Sequence, residues 1–417
     1  MEIARPTAQA CDPAGAQRDP RRPGRRLSRR HKTGSRKVRV TAIYLDYQAT
    51  SPADLRVVEV MMPWFSRPAN PHATHAFGCE AGQAVERARL QIAELVGADP
   101  EQVVLTSGAT EATNMAIRSL PRGARVLVSA IEHPCVLETL ASLSDHLEVS
   151  FAPVDAEGLI DPEGFAERVV GQDAAIVMAV NNEIGTVQPL KQIGDACRMA
   201  GALLMTDVTQ AVGRIPVDLK GCDAAAAWLS SHKIYGPQGI GALIWRSALP
   251  LAPLVTGGGQ QRGLRSGTVP TSLAVGFGVA CEIAAAEMEK DAAHMTELSA
   301  AMLAAIRARW PEVVVNGSIR ERIPHNLSLA FPGVDADALV NSIPDVAIST
   351  GSACSAGALG TSHVLDAVVG SELAACTIRV GFGRATTLEE VRDAARLICD
   401  AVDNLKVQGR KAVRGRA

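Results

Sequence analysis

The sequence predicts an α/β protein with a mostly parallel β-sheet in a large domain and a smaller α/β domain toward the C-terminus. Three observations support this fold class. Short β-rich runs alternate with helix-length segments between residues 44 and 245, as in parallel sheets wrapped by helices. A Gly-Gly-Gly triplet at 257–259 marks a change of pattern, after which an Ala-rich helical region begins. The 417 residues are enough for two domains.

Seven strands are predicted for the sheet of the large domain, with helical patterns between them. The strands are expected at 102–106, 125–129, 147–152, 174–180, 203–207, 224–229 and 240–245. The helices are expected at 111–120, 135–143 and 190–200. Ligands of such sheets bind beyond the carboxyl ends of the strands, so the residues just after these strands are the first candidates for chemistry.

The small domain is predicted from the pattern beyond the triplet. Its elements are expected to be helices at 271–309 and 388–405, a further helix that starts near residue 362, and strands at 313–315, 327–331, 346–348 and 378–381. We therefore expect a large domain at 41–270 and a small domain at 271–405, joined by part of the N-terminal segment. The basic segments at 1–40 and 406–417 are predicted to be disordered tails.

The composition argues against membrane and nucleic-acid partners. A net charge of −2, with 47% hydrophobic and 21% charged residues, gives no overall field that would draw the chain to either. The apolar run at 273–281 is too short for a bilayer span, which needs about 20 residues. The N-terminus lacks the apolar stretch of a signal peptide, so we expect a cytoplasmic protein.

The nine cysteines are irregularly spaced, and none lies in a Cys-x-x-Cys pair. This pattern argues against a disulfide framework and against a zinc or cluster site, so no metal is expected. The Arg-rich first forty residues leave a nucleic-acid-binding arm or a transit peptide open as alternatives to a disordered tail.

Lys233 and Asp207 carry the strongest signal for chemistry. Lys233 follows the predicted strand at 224–229 and precedes a Gly-rich turn, which is a poor place for an ordinary surface charge. Asp207 ends the strand at 203–207, so the sheet is expected to bring both residues to one edge. A lysine amine can form a Schiff base with an aldehyde cofactor, and an aspartate can hold a protonated pyridine nitrogen. Together they predict pyridoxal 5′-phosphate.

A phosphate site is predicted at 107–110, where Ser-Gly-Ala-Thr follows a strand and opens a helix. Free backbone N–H groups and the helix dipole favour an anion there. Alone, the segment would be a plain βα turn capped by Thr110, but Lys233 and Asp207 in the same sheet favour the phosphate. His133, just past another strand, is either a ring stacked on the cofactor that moves protons or a hydrogen-bonded loop histidine.

Four further polar residues have two interpretations each. Asn182 and Gln210 follow strands, where they would bond the ring oxygen of the cofactor or simply form turns. Arg379 interrupts an apolar strand and would bind a substrate carboxylate or form a salt bridge within the small domain. Cys354 lies in a small, flexible segment at 351–357, as a nucleophile or as an ordinary loop residue.

From about residue 44 to residue 405, the chain resembles the cysteine desulfurases of the NifS/IscS group, which are fold-type I pyridoxal-phosphate enzymes of the class V aminotransferase type. The order and spacing of short motifs carry the resemblance. These motifs are Tyr-Leu-Asp-Tyr-Gln-Ala-Thr at 44–50, Thr-Ser-Gly-Ala-Thr-Glu at 106–111, Glu-His at 132–133, Asn-Asn-Glu-Ile-Gly at 181–185, Asp-Val-Thr-Gln at 207–210, Ser-Ser-His-Lys at 230–233, Arg-Ser-Gly-Thr at 265–268 and Ser-Ala-Cys at 352–354. The stretch at 70–75 departs from the family pattern by one residue.

The resemblance implies a role for each matching residue. Lys233 is similar to the Schiff-base lysine, Asp207 to the partner of the pyridine nitrogen, and His133 to the stacking acid–base residue. Cys354 resembles the sulfur acceptor. Thr268 resembles a residue that reaches the phosphate of the neighbouring subunit, which implies a homodimer. Further cofactor contacts are implied for Ala109, Thr110, Asn182, Gln210, Ser230 and His232, and contacts to the substrate carboxylate for Asn182 and Arg379.

The activity that the resemblance implies is conversion of L-cysteine to L-alanine, with the sulfur passing to Cys354 as a persulfide. An acceptor protein, either an iron–sulfur scaffold or a sulfur carrier, would then take the sulfur for cluster, cofactor or tRNA biosynthesis. A related lyase or aminotransferase, such as a selenocysteine lyase, is the alternative. A nucleic-acid-binding regulator that uses the basic N-terminal tail is a third hypothesis.

Overall fold

Seven short apolar runs pair side by side to form the central sheet, and the remaining elements pack around it or extend it. The computed structural model describes residues 42–351 and 362–414. Its strands are β1 Ile43–Tyr44, β2 Val103–Thr106, β3 Ala124–Ser129, β4 Leu147–Ala152, β5 Ala174–Ile176, β6 Leu203–Asp207, β7 Ala224–Ser230, β8 Gly241–Trp245, β9 Val314–Val315, β10 Asn326–Ala330, β11 Val346–Ala347, β12 Ser349–Thr350 and β13 Thr377–Gly381. Its helices are α1 Leu55–Phe65, α2 Ala76–Val96, α3 Ala109–Arg118, α4 Pro134–Ala141, α5 Pro162–Val169, α6 Leu190–Ala200, α7 Thr271–Arg309, α8 Ala336–Ser342, α9 His363–Ala374 and α10 Leu388–Arg414.

The central sheet is mostly parallel, as predicted. Its strand order is β2-β8-β7-β6-β5-β3-β4. Only β8 runs against its two neighbours, β2 and β7. Because side chains alternate along a strand, each strand feeds two apolar layers. Leu127 and Leu204 belong to one layer, the front cluster, which also holds residues of α2, α6 and α7. Val126 and Met205 belong to the other, the back cluster, together with residues of α3 and α4.

A second, antiparallel sheet forms in the C-terminal part of the chain. Its order is β12-β13-β10-β9, and β1 pairs separately with β11 in parallel. Residues of this sheet, including Leu329 and Ile378, pack with the second half of α7 and with α10 in what we call the small-sheet cluster. An isolated bridge between Asp46 and Gly381 ties the N-terminal segment to β13.

Helix α7 belongs to both parts of the core. Phe277 and Ala280 in its first half lie in the front cluster, and Leu298 and Met302 in its second half lie in the small-sheet cluster. By length and composition this 39-residue helix could cross a membrane, and 44% of its most apolar window is buried inside the protein. Core helices of globular proteins have the same properties, and the buried apolar side chains of α7 from Ala274 to Ile306 lie in these two clusters.

Most predicted elements are present within one or two residues of their expected bounds, and two predictions need correction. The strand expected at 174–180 ends at Ile176, although Ala179 N–H still donates to Asp207 O at 2.8 Å. The tail expected to be disordered from residue 406 continues α10 to Arg414, since 406–414 contains good helix formers and a single glycine. The sequence patterns did not locate α1, α2, α5 or α8. The described residues from Ala42 onward form one compact unit, and the predicted boundary at 270 stays a prediction.

Candidate active site

A cavity of about 450 Å³ lies at the carboxyl ends of the parallel strands, where the sequence placed the candidate chemistry. Its wall is built from loops that follow β2, β3, β5, β6 and β7. Thr268 and Arg379 do not line this cavity, and Cys354 lies outside the described residues. The predicted site residues that line it are Ala109, Thr110, His133, Asn182, Asp207, Gln210, Ser230, His232 and Lys233.

Lys233 reaches the cavity because β7 ends at Ser230 and turns at once through a short 3₁₀ segment, Ser231–Lys233. Its Nζ donates to two backbone carbonyls, Gln48 O at 2.6 Å and Ala49 O at 2.7 Å. These carbonyls belong to the segment between β1 and α1, which therefore fixes the amine at the cavity wall.

Asp207 is the last residue of β6 and is only 6% exposed. The backbone N–H of Thr209 donates to its Oδ1 at 2.8 Å, which holds the carboxylate at the strand end. Gln210 lies one turn further on and donates through Nε2 to Gln48 O at 3.0 Å. A buried carboxylate in this position can hold a protonated heteroaromatic nitrogen.

His133 caps the N-terminus of α4, where its Nδ1 accepts a hydrogen bond from Cys135 N–H at 3.1 Å. An accepting Nδ1 leaves the proton of the neutral ring on Nε2. Burial lowers the pKa of His133, and the charge of Lys233 also lowers it, whereas Asp207 acts to raise it. The ring is therefore neutral at pH 7 and carries an Nε2–H donor.

The N-terminus of α3 lines one end of the cavity and is suited to bind an anion. The first N–H groups of a helix have no partner within the helix and carry a partial positive charge. Gly108 caps α3, and a Cβ built there would lie 3.7 Å from Ser230 Oγ, so the two residues are close neighbours. His232 Nδ1 lies 3.0 Å from Thr50 Oγ1, and burial together with the Lys233 charge lowers the pKa of His232 to about 4. A neutral histidine here can donate to a phosphate without forming an ion pair.

Arg379 is buried behind the cavity, in the middle of β13. Its Nη2 lies 2.8 Å from Asp46 Oδ1, and its Nη1 donates to Asn182 O at 3.2 Å. The ion pair matches the predicted alternative of a structural salt bridge, although Asp46 lies at the N-terminal end of the fold. The predicted contact of Arg379 with a substrate carboxylate stays a prediction. Asn182, which lines the cavity and accepts from Arg379, lies between Arg379 and the cavity.

Cys135 lines the cavity but is unsuited to act as a nucleophile. Burial raises the pKa of its thiol to about 12, and Thr113 Oγ1 lies 3.5 Å from its sulfur. A thiol that stays protonated does not attack. The proposed acceptor Cys354 belongs to a different part of the chain.

Several of the cavity-lining residues were not predicted from the sequence to be site contacts. Gln48 acts through its backbone carbonyl, which carries no signal in a sequence. Glu111 stood inside a matching motif, and its position four residues after Ser107 in the first turn of a helix was a usable signal. The residues of this kind are Gln48, Thr50, Glu111, Cys135, Met178, Val180, Thr209, Gln238 and Gly239.

Comparison with known proteins identifies the family to which the chain belongs. The aminotransferase class-V model matches residues 43–393. Cysteine desulfurase IscS of Rickettsia rickettsii (strain Iowa) is 44% identical over 376 residues, which are 87% of this chain and 92% of the relative. One solved NifS-like protein has a TM-score of 0.81 and 31% identity, over 87% of this chain and 100% of its own. SspA, solved in complex with cysteine, has a TM-score of 0.72 and 34% identity, over 81% and 98%.

These comparisons confirm the family that the short motifs predicted, and with it the fold class. The chain belongs to the aminotransferase class-V family, within which it is similar to the cysteine desulfurases.

Proposed function

We propose that the chain is a pyridoxal 5′-phosphate-dependent cysteine desulfurase that converts L-cysteine to L-alanine. One observation carries the proposal: Lys233, Asp207 and His133 line a single cavity at the carboxyl ends of the parallel strands. The family supports both cofactor and reaction, because relatives at 44% identity are named cysteine desulfurases and SspA was solved in complex with cysteine.

The side chains of the cavity fit this cofactor. Lys233 supplies an amine for the covalent anchor, and Asp207 supplies a buried carboxylate for the pyridine nitrogen. Ser230, neutral His232 and the N-terminus of α3 supply donors for the phosphate. Gln210 supplies an amide for the ring oxygen. When bound, the cofactor serves as an electron sink that stabilises negative charge on the substrate carbon.

The remaining residues bind the substrate and move protons. Asn182 lines the cavity and offers its side-chain amide to the substrate carboxylate. Arg379 holds Asn182 in place by donating to its backbone O. His133 is neutral and holds its proton on Nε2, so it can donate a hydrogen bond to the reacting groups in the cavity. The amine of Lys233 is then the group that accepts a proton from the substrate carbon and returns it.

Sulfur transfer requires a nucleophile, and Cys354 is our candidate. Its thiolate forms an S–S bond with the substrate sulfur while the Cβ–S bond of the substrate breaks. The electron pair of that bond stays on the carbon, which takes up a proton and becomes the methyl group of L-alanine. The enzyme keeps the sulfur as a persulfide, ready for an acceptor protein such as an iron–sulfur scaffold or a sulfur carrier.

We further propose that the protein is a homodimer in the cytoplasm. Thr268 is exposed and does not line the cavity of its own subunit, which suits a residue that contacts the cofactor phosphate of a second copy. The cysteines of the described ranges are free, which suits a reducing compartment.

The Cys354→Ala substitution tests the reaction. We expect the purified variant to keep the yellow cofactor, while sulfide and alanine release from L-cysteine falls by roughly a thousandfold, since the nucleophile is lost. Cys79→Ala is the matched control, because Cys79 is exposed and does not line the cavity.

Unchanged turnover in Cys354→Ala would overturn the persulfide step and favour a lyase that releases its product directly. Preferential turnover of L-selenocysteine by that variant would identify a selenocysteine lyase. Loss of the yellow cofactor in Lys233→Ala but not in Cys354→Ala would support the assigned anchor.

A further inference from the structure

The segment 260–267 contacts β2 and the first turn of α3, next to the end of the cavity that is suited to bind an anion. Gln261 forms one anchor: its Oε1 accepts from Leu105 N–H and its Nε2 donates to Leu105 O, both at 2.8 Å. These are the two bonds that a neighbouring strand would make, and β2 is the edge strand of the sheet. The side chain of Gln261 therefore fixes the segment to β2 two residues before Ser107.

Arg265 forms the second anchor, directly on the cavity wall. Its Nε lies 2.9 Å from Glu111 Oε1, and its Nη2 lies 3.3 Å from Glu111 Oε2. Ser107 N–H donates to the same Oε2 at 2.7 Å. The side chains of Arg265 and Glu111 are 21% and 13% exposed, so water screens this bidentate pair only partly.

This arrangement places a carboxylate beside a site for a phosphate. Glu111 lines the cavity. The pKa of Glu111 is lowered, because the hydrogen bonds from Arg265 and Ser107 outweigh the burial that acts to raise it. An ionised carboxylate favours the N-terminus of a helix but repels a bound phosphate. The guanidinium of Arg265 supplies the charge that cancels this repulsion.

We propose that Arg265 is a positioning residue for the cofactor phosphate: it neutralises Glu111, and Glu111 in turn holds the Ser107 loop at the N-terminus of α3. The inference rests on the proposed cofactor. It assigns the two residues an effect on phosphate affinity with no direct contact to the phosphate. Removing the Arg265 charge alone should therefore weaken phosphate affinity more than removing the charges of both Arg265 and Glu111.

The test measures dissociation constants of the full-length apo-protein by absorbance and fluorescence titration, with pyridoxal 5′-phosphate and with phosphate-free pyridoxal. We expect Arg265→Met to weaken pyridoxal 5′-phosphate by about tenfold or more, because it leaves a carboxylate facing the phosphate. Glu111→Gln keeps an acceptor for Ser107 and should weaken it by about threefold or less. The double variant should bind better than Arg265→Met, and pyridoxal should bind all of them about equally.

Controls separate this effect from general damage. Arg309→Met removes an exposed ion pair with Asp400 and should leave both dissociation constants unchanged. Arg265→Lys keeps the charge but loses the bidentate fork, so it should weaken pyridoxal 5′-phosphate less than Arg265→Met does. If Arg265→Met fails to fold, Arg265→Gln, which is also uncharged, takes its place with the same expected loss.

Equal affinities of Arg265→Met and the wild type for pyridoxal 5′-phosphate would overturn the inference, as would a double variant weaker than Arg265→Met. Failure of the wild type to bind pyridoxal 5′-phosphate at all would instead overturn the proposed function.

Discussion

Burial by distant parts of the chain sets the charge of individual side chains around the cavity. Glu183, next to Asn182, is 4% exposed. Burial raises the pKa of Glu183 to about 7, although Ser362 Oγ donates to its Oε2 and the charge of Arg379 also favours the ionised form. The side chain is therefore half-protonated near neutral pH, whereas a glutamate in the unfolded chain is ionised above a pKa of about 4.5.

The raised pKa has a definite consequence for stability. The folded state binds a proton at Glu183 that the unfolded chain releases, so this group stabilises the fold at acid pH and loses that effect as pH rises through about 7. Glu183→Gln is neutral at every pH. Relative to the wild type, the free energy of unfolding of the variant should be higher at pH 8 than at pH 5 by roughly 2–3 kcal/mol.

Urea unfolding at pH 5 and pH 8 measures this difference. Glu167→Gln, at an exposed position of α5, is the control and should show no pH-dependent difference. A Glu183→Gln variant whose effect is the same at both pH values would mean that Glu183 titrates normally in the fold.

At this scale, sequence alone identified residues whose chemistry is local and missed those whose state depends on long-range burial. Asp207 ends one strand and Lys233 follows another, so their meeting could be expected from the rule for parallel sheets. Glu183 stood in a matching motif, but nothing near it in sequence indicates the contact with Ser362, 179 residues away. A salt bridge of Arg379 was one of the predicted alternatives, but its partner Asp46, 333 residues away, could not be predicted for the same reason.

At the scale of elements, close backbone approach positions the N-terminus of α3. Gly241 opens β8 and lies between Thr106 of β2 and Ser230 of β7 in the sheet. A Cβ built on Gly241 would lie 2.6 Å from Leu229 O and 2.7 Å from Gly108 Cα, and both are backbone atoms. Only glycine allows this approach without a shift of the backbone.

Gly241→Ala should therefore move the cap of α3. We expect a loss of about 1–3 kcal/mol in the free energy of unfolding, because the backbone must move apart. We also expect a roughly tenfold weaker affinity for pyridoxal 5′-phosphate, because the N–H groups of α3 move with Gly108. Chemical unfolding and cofactor titration measure the two effects.

Gly82→Ala in α2 is the matched control, since Gly82 does not line the cavity and a Cβ built there needs only a slight shift of Pro71 O, at 3.2 Å. It should leave cofactor affinity unchanged. A Gly241→Ala variant with wild-type affinity would mean that the α3 cap does not depend on this contact.

Element positions were largely predictable because alternation and apolar runs are local properties, as β4, β6 and α6 illustrate by matching their expected bounds. The end of β5 was not, because Val177–Ala179 continues the apolar run after the regular ladder has stopped. Helix α2 was not located, although it supplies buried residues such as Val85 and Ile92 to the front cluster.

At the scale of the whole molecule, α7 joins two regions of the core in one continuous helix. The helix runs without interruption from Thr271 to Arg309, so the two clusters cannot separate without breaking it. Its first half shares the front cluster with α1 and α2, and its second half shares the small-sheet cluster with α10. A helix shared in this way makes the two regions unfold together, because fraying one half removes the support of the other.

Two cavity-forming substitutions test this coupling. Phe277 and Leu298 are each 0% exposed and lie in different clusters. We expect Phe277→Ala to lower the free energy of unfolding by about 3–5 kcal/mol and Leu298→Ala by about 2–5 kcal/mol. Each variant should still show a single transition, with coincident changes in far-UV circular dichroism and tryptophan fluorescence, because Trp228 lies in the back cluster and Trp310 packs on the small-sheet cluster.

Lys290→Ala, exposed in the middle of α7, should change stability by less than about 0.5 kcal/mol. Two separate transitions in Leu298→Ala, with the cofactor still bound after the first, would instead establish the sheet regions as independent domains, which is the division at residue 270 that the sequence predicts.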